Sequence, residues 1–106
     1  MNLEIIETEL RTGQVPPPRL AEMKDWLASE SSTLMDRQLE LQIAYANFYE
    51  ICKPNNTDKG VLQAWRRTGQ GLEDLKLDTA QKKIKVLREA ISSHLRVAES
   101  QARNLY

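Results

Sequence analysis

Apolar residues recur along this chain at helical spacing, and one row dominates. Leu20, Leu27, Leu34, Leu41 and Phe48 stand seven residues apart, with Met23, Ala44 and Ile51 three residues after members of that row. A seven-residue repeat sustained over this distance predicts a helix that packs lengthwise against another helix. Glu30 and Arg37 interrupt the second row. A looser bundle or a kinked hairpin is therefore expected in place of an uninterrupted zipper. A matching row closes the chain: Leu77, Ile84, Ile91, Ala98 and Leu105, with Ala80 and Leu87 between them and the stripe widening to Leu95 and Ala102.

The polar positions divide these rows into elements. A short amphipathic helix is expected within 1–13, with Asn2 as N-cap, Leu3, Ile6 and Leu10 on one stripe, and Gly13 as its stop. Residues 14–18 read as a proline-rich linker. Pro16 and Pro17 belong to its extended part, and Pro18 suits the first position of the next helix. The long helix then covers 19–53, about 50 Å at 1.5 Å per residue. Its soft spot is Ser29 to Thr33, where hydroxyl side chains compete for backbone hydrogen bonds; the Leu27–Leu34 phase carries one helix across it.

Pro54 forbids continuation, Asn55 and Asn56 tolerate turn geometry, and Thr57 or Asp58 can cap the next helix. Residues 54–57 are thus a turn. As a calcium loop the segment lacks alternating carboxylates, and as a phosphate cradle it has one glycine where several are needed. Residues 58–106 return as helices. A break is predicted near 68–78, where Gly69 and Gly71 weaken the pattern and Asp78 with Gln81 forms a weak capping box. The fold class is all-α: an antiparallel helical hairpin or small up-down bundle with a coiled-coil-like seam and a short N-terminal helix, in one domain over 1–106.

Composition narrows the class further. The chain has 106 residues, 41% of them hydrophobic and 28% charged, with 6% aromatic. That is the make-up of a folded chain, too poor in β-formers for a sandwich. The zero formal charge conceals an asymmetry: residues 1–52 hold nine acids against four bases, and residues 53–106 eleven bases against six acids. Two arms of opposite sign attract when folded together, modestly and subject to salt. No apolar run is long enough to span a membrane, and the acidic start MNLEIIETELRTG does not resemble a secretory leader. A soluble cytoplasmic chain is the expectation.

Candidate chemistry is sparse. Cys52 is the sole cysteine and His94 the sole histidine, so neither a disulfide nor a Cys/His metal site is expected within one chain, and no cofactor or small-molecule substrate is implied. His94 reads as a seam residue. No nucleophile elbow appears, and the chain is expected not to be an enzyme. The densest apolar stretch runs from Ile43 to Ile51 and exceeds the face a surface helix normally buries. Tyr45, Phe48 and Tyr49 from this stretch, with Trp65, are the candidate partner-binding residues, since Tyr and Trp join an apolar ring to a polar tip.

The function expected is a protein–protein interaction or assembly module that self-associates, giving a homo-oligomer, or docks on a larger complex. The alternative is a nucleic-acid-associated protein using Arg66, Arg67, Lys82, Lys83, Lys85 and Arg88.

Overall fold

The structure is a computed structural model that describes residues 1–104 and is all-α. Four α-helices follow in chain order: α1 (Leu3–Arg11), α2 (Pro17–Cys52), α3 (Asp58–Arg66) and α4 (Gly69–Asn104), with a single 3-10 turn at Lys53–Asn55. Leu105, expected on the C-terminal stripe, lies outside the described residues.

The helix ends follow capping chemistry. The Asn2 side chain accepts a hydrogen bond from the Ile5 N–H at 2.9 Å, closing the first turn of α1. Gly13 then takes a φ of 71°, the left-handed region that a glycine enters without strain. Helix α2 starts one residue before the expected Pro18. The Pro16 carbonyl accepts from the N–H groups of Arg19 and Leu20, so Pro17 is the first helical residue. Prolines fit there because first-turn N–H groups have no partner within the helix. No break occurs at Ser29 to Thr33, and α2 runs unbroken to Cys52.

Thr57 caps α3, its hydroxyl accepting from the Gly60 N–H at 3.0 Å. The break expected near 68–78 is only the two residues Arg67 and Thr68. The Thr68 hydroxyl donates to the Trp65 carbonyl at 2.6 Å and accepts from the Gly71 N–H at 3.0 Å, ending one helix and starting the next. Asp78 and Gln81 lie inside α4 and start no helix. Gly71 is tolerated for a steric reason. A Cβ on Gly71 would strike the Trp65 carbonyl, whose close approach needs a residue without one.

The described chain falls into two compact units, one of residues 1–31 with 82–104 and one of residues 32–81. In the first, α1 contributes Ile6 and Leu10, α2 contributes Leu20, Met23 and Leu27, and α4 contributes Ile84, Leu87 and Ile91 to the buried set. Each such side chain gains about 1.5–3 kcal/mol on full burial, before entropy. Charge closes the edges. Arg19 grips Glu9 with two hydrogen bonds of 2.9 and 2.8 Å, and Lys83 meets Glu7 at 2.9 Å.

In the second unit Leu41, Val61 and Trp65 are buried. Leu34, Ala44 and Phe48 are half-buried, while Ile51 is 79% exposed and leaves the predicted seam. The reason is geometric. A straight α-helix turns a seven-residue row by about 20° per heptad, so the row rotates by about 80° over the four heptads from Met23 to Ile51. Arg37 reaches Glu73 at 2.8 and 2.6 Å, and the Gln81 amide donates to Gln38 at 3.3 Å.

Candidate functional site

The four expected partner-binding residues do come together, against one another. Trp65 of α3 packs edge-on to Tyr45, with ring centroids 5.3 Å apart, and lies 5.5 Å from Phe48; Tyr45 is 6.3 Å from Tyr49. Spacing explains the meeting, since Tyr45 and Tyr49 are one turn apart on α2 and Phe48 lies between them on the side facing α3. Trp65 is only 3% exposed and anchors α3 within its own unit. Aromatic pairs of this kind add about 0.5–1.5 kcal/mol beyond area burial.

The Tyr49 hydroxyl donates to Asp58 Oδ1 at 2.5 Å, and Lys53 Nζ donates to the same oxygen. Lys53 also sits 5.8 Å from the Tyr49 ring centre. The Lys53 ammonium, followed by the Tyr49 hydroxyl, holds the Asp58 carboxyl below its ordinary range, and Asp58 in turn pushes the Tyr49 phenol up. This cluster fastens the 3-10 turn to the start of α3. Each of its groups has a structural duty.

The basic residues are all at the surface. Arg66 and Arg67 close α3, whereas Lys82, Lys83, Lys85 and Arg88 stand on α4 in the other unit, with Lys83 engaged by Glu7. His94 is half-buried beside a cavity of about 340 Å³ that also touches Val15 and Val97. Among the described residues no group of three His, Cys, Asp or Glu side chains is placed to hold a metal ion. No helix among them is long and apolar enough to cross a membrane.

One feature is hidden in the pattern of the sequence. Met35, Leu39 and Ile43 are 60%, 58% and 58% exposed and form a row at i, i+4, i+8 along α2. They line the side of α2 turned away from Leu34 and Leu41. Their spacing carries the signal, but the stronger seven-residue row masks it, and Ile43 merges with the aromatic stretch. Met35 and Leu39 border a groove of about 350 Å³ together with Gln38 and Gln42. The same two glutamines border a second groove, of about 430 Å³, whose other wall carries Leu62 of α3 and Leu75 of α4. Leu62 and Leu75 are 37% and 53% exposed. The two grooves therefore share a border of amides and lie side by side on the second unit.

No protein-family model matches the chain, and neither a curated protein nor a solved structure matches it.

Proposed function

We propose that this chain is a non-enzymatic protein-interaction module, an antiparallel helical hairpin with α1 and α3 packed along it, which docks on a larger complex or on its own copies. The observation that carries this reading is the row Met35, Leu39 and Ile43. These side chains stay largely exposed although Leu20, Met23, Leu27 and Leu41 of the α2 seam are buried. A contiguous apolar surface of this kind marks interaction sites in folded proteins. The hairpin itself is supported in the second unit by the Arg37–Glu73 pair, which ties α2 to α4.

The mechanism is burial. A partner helix laid on the row would cover Met35, Leu39 and Ile43 and gain the hydrophobic free energy that the isolated chain leaves unused. Mass by sedimentation, with a pull-down from the native source, tests the reading, and Leu39→Ser serves as the control. A complex or oligomer lost in Leu39→Ser is expected. A strict monomer that retains nothing from its own lysate overturns it.

The nucleic-acid reading has one support, the solvent exposure of its six bases. A gel shift at low ionic strength that shows no retardation ends it.

A further inference from the structure

The geometry points to a basic amphipathic helix as the occupant of the adjoining grooves on the second unit, a helix with a leucine-like apolar stripe edged by lysine or arginine. This deepens the interaction-module reading and rests on it. The centre of the surface is apolar, formed by Met35 and Leu39 on one side and Leu62 and Leu75 on the other, with Gln38 and Gln42 between. Its rims are acidic. Asp36 borders the α2 side, and Asp74 borders the α4 side, one turn before Asp78, which is already engaged within the chain. Arg66, near Leu62, is the one base among the lining residues.

An apolar stripe between two acidic rims is complementary to a helix whose stripe is flanked by cations. It is poorly suited to a second copy of itself. A two-fold dimer sets the same patch against itself, and with acids on both rims carboxylates would oppose carboxylates whichever way the axis ran. Gln42 and the amide nitrogen of Gln38, whose oxygen already accepts from Gln81, add hydrogen-bonding groups between the grooves for polar groups at the edge of an incoming stripe.

The experiment titrates the full chain into a fluorescently labelled synthetic peptide of leucine and lysine, arranged as an amphipathic helix about four turns long. A twin peptide carries glutamate in place of every lysine. The lysine peptide is expected to bind, with affinity falling as salt rises, and the glutamate peptide to stay free. Leu39→Ser is expected to abolish binding, and the double variant Asp36→Asn, Asp74→Asn to weaken it about fivefold through lost partly screened pairs. Val86→Ser, an exposed apolar position in the first unit, is expected to leave it unchanged. Far-ultraviolet circular dichroism establishes that each variant is folded.

Equal binding of both peptides, binding of neither, or a double variant indistinguishable from the parent overturns the basic-helix assignment. So does a dimer that Leu39→Ser disperses, which would leave the interaction-module reading intact with a copy as occupant. Loss of the interaction-module reading itself is seen separately, when Leu39→Ser alters neither mass nor the proteins retained.

Discussion

Arg37 and Glu73 are joined by two hydrogen bonds, Nε to Oε2 at 2.8 Å and Nη2 to Oε1 at 2.6 Å, while Nη1 of the same guanidinium reaches Glu40. The pair ties α2 to α4 within the second unit and runs against the charge asymmetry of the two halves, the base coming from the acidic half and the acid from the basic one. Both side chains remain partly in water. Arg37→Ala is therefore expected to lower the melting temperature slightly, and the difference to shrink near 1 M salt, where screening acts over about 3 Å. Thermal melts at two salt concentrations read this out.

Acid should loosen both units for a related reason. Hydrogen bonding to Arg19 holds the Glu9 carboxyl below its ordinary value of 4.5, and hydrogen bonding to Arg37 does the same for Glu73. A depressed folded-state value means that the carboxylate form favours the fold. Its contribution is present above the unfolded value and is lost as pH falls through the folded one. Stability should hold from neutrality down to about pH 5 and then decline, and Glu9→Gln with Glu73→Gln should flatten that decline. Denaturant midpoints measured from pH 7 to pH 3 provide the check.

The two glycines near helix starts should respond differently to alanine. At Gly71 the new Cβ meets the Trp65 backbone, which can yield only if α3 and α4 separate. A loss of about 1–3 kcal/mol or more is expected, in the range of overpacked sites. At Gly60 the nearest atom belongs to the Asn56 side chain, which can rotate away. Gly60→Ala should cost far less, and could gain from the higher helix propensity of alanine. Urea denaturation of the two variants separates these outcomes.

Buried and exposed members of α2 provide the plainest contrast. Leu27→Ala and Leu41→Ala remove fully covered side chains and should each cost about 2–5 kcal/mol. Leu39→Ser and Ile51→Ser alter exposed positions and should stay within about 0.5 kcal/mol. If Leu39→Ser instead unfolds the chain, that face is core and unavailable to a partner.

The helices were legible because their signals are local. Asn2, Pro54 and Thr57 act at element ends within a few residues of themselves, and the seven-residue row identified Leu20, Leu27 and Leu41 as buried. What was missed depends on neighbours distant in sequence. The weakness attributed to Gly69 and Gly71 gave a break too far along the chain, because the Gly71–Trp65 approach and the double use of the Thr68 hydroxyl exist only once α3 and α4 meet. Ile51 was misplaced because a repeat of seven drifts on a straight helix of 3.6 residues per turn. No sequence mark separates an aromatic covered by its own chain, as Trp65 is, from one awaiting a partner. Met35, Leu39 and Ile43 show the converse, apolar positions whose exposure only the packing of the second unit reveals.

The boundaries between the two units fall inside α2 and α4, so one unit is a continuous stretch of chain and the other is closed by segments far apart in sequence. Closing a long loop costs more entropy than closing a short one, and contacts between 1–31 and 82–104 are expected to form later than those inside 32–81. Ile6, Leu20 and Met23 share their unit with Ile84, Leu87 and Ile91, so a cut within α4 ahead of Ile84 would leave the start of the chain with apolar side chains and no lid.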